Sequence, residues 1–143
     1  MLRSQAVTDP AEIDRLYTAA LLQEGDHDAH CSTEVPYIAL DALKERVADE
    51  RSLLVCVYDG IFPMVFAVVN SNTKEGEWLL FCARPDACFE GGEKSAVYEL
   101  IEGVVKRLGY YYGRVQNPRL RELFASIPGV TIVNDLDVET WRA

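Results

Sequence analysis

The sequence predicts an α/β (α+β) fold, in which a mixed, mostly antiparallel central sheet carries helices on both faces. Segments with apolar residues at helical spacing are separated by apolar runs of strand length. The middle of the chain reads as three strands joined by turns, which is typical of an antiparallel meander. A strand, a helix and a strand then follow, as in a βαβ crossover. With 143 residues, we expect one domain spanning residues 1–143.

The chain opens with a short strand, residues 2–7, followed by a helix. Asp9 is suited to cap this helix, Pro10 to its first turn, and Glu12 to the third position of a capping box. The helix should end near Gly25. Its apolar face is formed by Ile13, Leu16, Ala20 and Leu21.

A second amphipathic helix is expected from Pro36 to about Glu50, after an irregular acidic loop at residues 24–34. The meander then comprises strands at 52–58, 63–69 and 77–83. Asp59-Gly60 predicts a type I′ hairpin between the first two of these strands, because both central residues of that turn need positive φ.

The third helix is expected from about Glu93 to Leu108, with Gly109 as its C-terminal cap. A strand at 110–116 follows, and Asn117-Pro118 opens a fourth helix that ends at Pro128-Gly129. Two closing strands are expected at 130–133 and 138–141. The predicted order is therefore β-α-α-β-β-β-α-β-α-β-β.

The net charge of −9 and the lack of a Lys/Arg cluster argue against nucleic-acid binding, which needs a basic surface. No apolar run approaches the roughly 20 residues that span a membrane, so no membrane association is expected. The first ten residues lack the pattern of a secretory signal, which favours a cytoplasmic protein with reduced cysteines. The acidity suits a protein partner or a cationic acceptor.

One group of side chains has the chemistry of metal ligands: His27, His30 and Cys31, flanked by Asp26 and Asp28. A structural metal site needs a further fixed ligand at familiar spacing, and none is visible. We therefore expect a polar surface loop and no metal.

The order of elements and three local sequences resemble the GNAT acyl-CoA N-acyltransferase superfamily over nearly the whole chain. These are residues 2–9 leading into the first helix, residues 81–86 at the end of the third meander strand, and residues 115–117 before the fourth helix. The resemblance implies acetyl-CoA as the cofactor if the protein is active. It implies contacts from Cys82, Ala83, Gly91, Gly92, Lys94 and Asn117.

In that superfamily, the loop before the third helix reads Arg/Gln-x-x-Gly-x-Gly/Ala, and its backbone N–H groups hold the pyrophosphate. Residues 87–94 depart from this motif. With Gly92 in the last position, Ala87 replaces the Arg/Gln; with Gly91 in the first glycine position, Cys88 does. Glu90 and Glu93 would repel a pyrophosphate. The loop also fits a plain turn into a helix whose positive end meets Glu93.

The catalytic residues implied by the resemblance are incomplete. Many members carry a Tyr seven residues after the Asn as general acid, and Phe124 stands there. Glu77, at the start of the third meander strand, is the candidate general base. Asp26 and Asp28 are alternatives on the acceptor side.

Two functions are therefore expected from the sequence. The favoured one is a weakly catalytic or non-catalytic GNAT-like protein that acts in assembly or protein interaction, similar to the small GNAT-like internal virion proteins of short-tailed bacteriophages. The alternative is an active N-acetyltransferase that moves an acetyl group from acetyl-CoA to a cationic, small-molecule amine.

Overall fold

The computed structural model describes residues 1–22, 39–70, 77–82, 95–114, 122, 130–132 and 137–141. Within these ranges, three helices and seven strands follow the predicted order. The helices are α1 (Pro10–Leu22), α2 (Leu40–Ala48) and α3 (Ala96–Leu108); the strands are β1 (Leu2–Ala6), β2 (Ser52–Asp59), β3 (Phe62–Asn70), β4 (Glu77–Cys82), β5 (Tyr110–Arg114), β6 (Val130–Ile132) and β7 (Asp137–Trp141).

The strands form two groups. One is four-stranded in the order β1-β2-β3-β4, and the other is three-stranded in the order β5-β7-β6. Every pair that is hydrogen-bonded within the described ranges is antiparallel. The prediction of a mostly antiparallel sheet is confirmed.

The two central strands, β2 and β3, are buried on both faces, so they are almost continuously apolar. On one face, Val55 and Val57 pack against the apolar side of α3, which includes Leu100 and Val104. On the other face, a second cluster joins the sheet to α1 and α2. Its members include Ile13, Leu16, Leu43, Leu54 and Phe66. The predicted placement of helices on both faces is confirmed.

The start of α1 follows the prediction in part. The Asp9 carboxylate accepts a hydrogen bond from the backbone N–H of Ala11 at 3.2 Å, so Asp9 caps the helix. The capping-box role predicted for Glu12 is wrong. Its carboxylate accepts instead from Arg15 and from the Tyr58 hydroxyl, because the sheet brings a buried donor within reach.

Helix α2 is shorter than predicted. Ala39 has extended backbone angles, so the helix begins at Leu40 rather than Pro36. It ends at Ala48 with a Schellman motif, in which Glu50 N–H donates to Val47 O at 3.1 Å and Arg51 N–H to Arg46 O at 2.9 Å. Glu50 stands in the left-handed position of that motif, with φ of 61°.

Helix α3 begins later than predicted. Ser95 is extended and its Oγ accepts from the N–H of Tyr98 at 3.1 Å, so the helix begins at Ala96 and not near Glu93. The hydrogen bond from Tyr98 N–H to the Ser95 hydroxyl therefore marks the start of α3, and the glycine pair Gly91-Gly92 is a poor guide to it. The predicted C-terminal cap is confirmed, since Gly109 has φ of 85° and donates to Val105 O.

The β2–β3 hairpin differs from the predicted turn. Asp59 pairs with Phe62, so the central residues are Gly60 and Ile61 rather than Asp59 and Gly60. Only Gly60 has positive φ, at 64°. A glycine in the first central position is the requirement of a type II′ turn, not of type I′.

Glu122, the described residue of the predicted fourth helix, is helical and exposed. None of the helices in the described ranges is both long and apolar enough to cross a bilayer.

Candidate functional site

The candidate site is the opening that is left where β4 and β5 come together without pairing in the described ranges. These strands approach each other, yet they belong to separate strand groups, and no hydrogen-bonded pairing joins them in the described ranges. The facing edges therefore leave backbone N–H and C=O groups that an extended ligand could use. Helix α3 connects the two strands along the chain.

A bulge interrupts β4 beside this opening. Val68 pairs with Leu79, but Val69 pairs with Glu77, so Trp78 is one extra residue on β4. A bulge leaves a residue out of the ladder and bends its strand. The bulge therefore leaves backbone N–H and C=O groups at Trp78 outside the hydrogen-bonded ladder with β3.

The N-terminus of α3 has donors that its own helix does not satisfy. The first N–H groups of any helix lack intrahelical partners, and here the Ser95 hydroxyl satisfies that of Tyr98. The N–H groups of Ala96 and Val97 are then left at the positive end of the helix dipole. All three residues from Ser95 to Val97 are buried. Such a helix start is suited to an anionic group.

The sequence-predicted site residues fall into two sets. Glu77 is the first residue of β4 and pairs with Val69, whereas Cys82 is its last residue and pairs with Val65. At about 3.3 Å per residue, the two lie roughly 16 Å apart along the strand. The other predicted residues lie outside the described ranges: Ala83, Gly91, Gly92, Lys94 and Asn117, as do Asp26, Asp28 and Phe124.

A polar cluster that the sequence analysis missed lies where α1 meets the β2–β3 hairpin. The Tyr58 hydroxyl donates to Glu12 Oε2 at 2.5 Å. Arg15 holds the same carboxylate through Nε at 2.5 Å and through a second guanidinium nitrogen at 2.9 Å. Arg15 also donates to the backbone carbonyl of Ile61 at 3.3 Å, which joins the helix to the tip of the hairpin.

The electrostatics of this cluster favour one protonation state. The hydrogen bond from Arg15 lowers the pKa of Glu12, against the effect of its partial burial. Burial raises the pKa of Tyr58, and its hydrogen bond to Glu12 raises it further. The guanidinium of Arg3 stacks 5.2 Å from the centre of the Tyr58 ring. At neutral pH the carboxylate is thus ionised and the phenol neutral, and neither is near its titration point. The cluster fixes α1 to the hairpin.

Two sequence signals could have indicated this cluster. Glu12 and Arg15 are three residues apart on a helix, the spacing of an ion pair. Tyr58 ends a buried apolar strand, and a buried tyrosine hydroxyl needs a partner. Neither signal alone joins residues 46 positions apart.

No metal site is found in the part of the chain that the structure describes, since no group of three or more His, Cys, Asp or Glu side chains could hold an ion there. His27, His30 and Cys31 lie outside that part.

Known protein structures share this fold. No protein-family profile matches the chain, and no characterised sequence relative does. An aminoglycoside acetyltransferase AAC(6')-Ib in complex with coenzyme A superimposes with a TM-score of 0.62 at 13% identity, covering 99% of this chain and 95% of that one. The Campylobacter jejuni N-acetyltransferase PseH gives 0.58 at 14% identity, covering 99% of both chains.

A third acetyltransferase agrees with these two. The ribosomal-protein-S18-alanine N-acetyltransferase of Escherichia coli gives a TM-score of 0.58 at 14% identity, covering 99% of this chain and 94% of that one. At such identities, the similarity shows a common fold. The predicted fold class, that of the GNAT acetyltransferases, is confirmed.

Proposed function

We propose that this chain is an acyl-CoA-dependent N-acyltransferase whose cofactor occupies the opening between β4 and β5. The observation that carries the proposal is the buried N-terminus of α3, where the N–H groups of Ala96 and Val97 have no acceptor within their own helix. A diphosphate is the part of acetyl-CoA that such a helix start would hold. The full-length similarity to acetyltransferases supports the same assignment.

The late start of α3 bears on the main objection from the sequence. The objection assumed that Glu93 occupies the first turn, where it would meet the diphosphate. With Ser95 as the cap, Glu93 precedes the helix by three residues. If the cofactor motif ends directly before the cap, Gly92 takes its first glycine position and Lys94 its last. Lys94 would then favour the anion, against Glu90 and Glu93, which precede it in the same loop.

Acetyl-CoA would supply the acyl group as a thioester, and the residues of this chain would orient the reactants. The backbone groups released at the Trp78 bulge are suited to contact the acyl end of a cofactor lying along β4. Glu77 precedes that bulge by one residue and would accept the proton of the attacking amine. The acidic segment at residues 24–34 would favour a cationic acceptor. Such a reaction fits the cytoplasmic location expected from the sequence.

A second candidate, a non-catalytic protein of assembly or interaction, keeps one specific observation in its favour. Phe124 stands where many GNAT enzymes carry a tyrosine general acid, so the departing thiolate would leave without that donor. A role like that of the phage virion proteins would need a protein partner and no cofactor. The two candidates differ in whether acetyl-CoA binds.

The test compares two ligands on two proteins. Ala96 is the first helical residue and follows an extended Ser95, so Ala96→Pro removes one N–H donor at a position where proline is tolerated. We expect acetyl-CoA to raise the melting temperature of the native chain. At 100 times its dissociation constant, a ligand stabilises the fold by about 2.7 kcal/mol.

Acetyl-pantetheine, which lacks the diphosphate, is the matched ligand. Ala96→Pro should weaken acetyl-CoA binding, measured by calorimetry, and leave acetyl-pantetheine binding unchanged. A native chain that shows no shift with millimolar acetyl-CoA is no acetyltransferase, and the non-catalytic candidate then stands. An equal loss for both ligands would mean that the substitution disturbs the site generally, and the assignment of the helix N-terminus would be wrong.

A further inference from the structure

The outer edge of β1 can be described bond by bond. Val7 N–H donates to Leu54 O at 2.8 Å, and β1 pairs with β2 in the same antiparallel register. Hydrogen-bonded positions alternate along such a pair, so the backbone groups of Gln5 and Arg3 face β2. Those of Leu2, Ser4 and Ala6 face away from it. No other strand in the described ranges pairs with this edge.

Helix α3 covers the middle of that edge with one side chain. Arg107 donates to the backbone carbonyl of Ser4 at 3.5 Å, to Ser4 Oγ at 3.3 Å and to Gly103 O at 2.8 Å. The close approach depends on Gly103, because a Cβ there would lie 2.7 Å from both Cβ and Oγ of Ser4. The guanidinium therefore occupies the central outward acceptor of β1.

The edge is complementary to itself. If a second β1 pairs antiparallel about a two-fold axis through Ser4, Leu2 stands opposite Ala6 and Arg3 opposite Gln5. No like charges then face each other directly, whereas a parallel pairing in register would oppose two copies of Arg3. At the axis, Ser4 N–H of each copy would need Ser4 O of the other, which is the acceptor that Arg107 occupies.

We propose that the outer edge of β1 is a strand-pairing site for a second copy of this chain, and that Arg107 keeps it closed. Natural proteins protect sheet edges in this way, because an open edge is a template for pairing. Releasing Arg107 joins the two four-stranded sheets into one continuous sheet of eight strands. The site is independent of the β4–β5 opening, at the other side of the sheet.

The test measures the mass of the full chain in solution over a range of concentrations, by sedimentation or light scattering. Arg107→Ala and Arg107→Gln should both form dimers at concentrations where the native chain is monomeric. Lys106 is exposed and lies next to Arg107 in the sequence, so Lys106→Ala also removes one positive charge. This control variant should keep the mass of the native chain. Circular dichroism of each variant checks that it is folded, and two Arg107 variants guard against the loss of one.

A second substitution locates the interface. Ala6 N–H faces outward, so Ala6→Pro removes a donor from the outer edge without breaking a bond to β2. The double variant that carries both Arg107→Ala and Ala6→Pro should therefore be monomeric. The proposal is overturned if folded Arg107 variants stay monomeric at every concentration, if their dimers survive Ala6→Pro, or if the native chain already dimerises through this edge.

Discussion

The two faces of the four-stranded sheet are held to their helices by different means. The α3 face is mainly apolar, and at Gly103 the helix has no side chain of its own where it meets the side chain of Ser4 on β1. The α1–α2 face adds directional polar contacts to its core: Tyr58 and Arg15 hold Glu12, and Lys44 pairs with Asp14 at 2.6 Å between the two helices. In the described ranges, α3 takes part in no ion pair. Apolar packing and the hydrogen bonds from Arg107 to Ser4 position α3, whereas ion pairs add to the apolar contacts of α1 and α2.

This difference bears on the proposed function. A helix whose N-terminus must hold a diphosphate gains from close, apolar contacts that allow little adjustment. The helices α1 and α2 flank the acidic segment at residues 24–34, which is proposed to favour a cationic acceptor. Polar contacts near a surface can rearrange at a smaller cost than a packed core. We therefore expect the α3 face to be the more sensitive to added volume.

The largest expected effect breaks the close contact of α3. Gly103→Ala should destabilise the fold by about 1–3 kcal/mol, the usual range for overpacking. Alanine is the better helix former, and this offsets up to about 1 kcal/mol of that loss. The clash is with Ser4 Cβ, the root of a strand side chain, so the helix itself must move. The free energy of unfolding from urea titration measures the effect.

A double-mutant cycle identifies the cause of that loss. Ser4→Gly removes both atoms that the new Cβ would meet, so Ser4→Gly with Gly103→Ala should be less destabilised than the sum of the single changes. Simple additivity would show that the two residues do not interact, and that α3 tolerates added volume as well as the other face does.

A smaller effect is expected from the polar contact on the other face. Tyr58→Phe removes the hydrogen bond to the Glu12 carboxylate and keeps the buried ring, so we expect a loss of about 1–2 kcal/mol at neutral pH. The remaining bonds from Arg15 keep the carboxylate paired. Urea titration of both proteins at neutral pH gives the difference.

The hydrogen bond between Tyr58 and Glu12 also predicts that the stability of the fold depends on pH in alkaline solution. The pKa of Tyr58 is raised in the folded chain above its ordinary 10.0. The unfolded chain therefore releases this proton first, and the stability that the phenol contributes falls as pH rises above about 10. The advantage of the native chain over Tyr58→Phe should shrink there. An advantage that is constant from neutral to strongly alkaline pH would show that Tyr58 does not titrate differently in the two states.

The sequence predicts features that depend on neighbours along the chain and misses those that depend on distant ones. Apolar spacing places all three described helices, and the apolar run of β2 predicts a central strand. Three details of the local backbone differ from the prediction: Ser95 caps α3, extended Ala39 precedes α2, and Gly60 alone takes positive φ in the hairpin.

The candidate site was predictable only in outline. A strand, helix and strand in sequence predict a crossover from β4 to β5, but no local pattern reveals that these strands are not hydrogen-bonded to each other in the described ranges. The Trp78 bulge is defined only by its register with β3, and the contact of Tyr58 with Glu12 joins a strand to a helix 46 positions away along the chain. Most residues implied by the GNAT resemblance, such as Gly92 and Asn117, remain predictions.

The smallest expected effect improves the α1–α2 face, through the end of α2. Both α2 and α3 end in a left-handed residue, but α3 uses Gly109 and α2 uses Glu50, whose Cβ is unfavourable at φ of 61°. Glu50→Gly should stabilise the chain by about 0.5–1 kcal/mol relative to Glu50→Ala, which removes the same charge and keeps the Cβ. Urea titration of the pair isolates the backbone term. Equal stability of the two variants would mean that the Schellman motif at the end of α2 opens readily. The two faces of the sheet would then also differ in how firmly their helices are capped at the C-terminus.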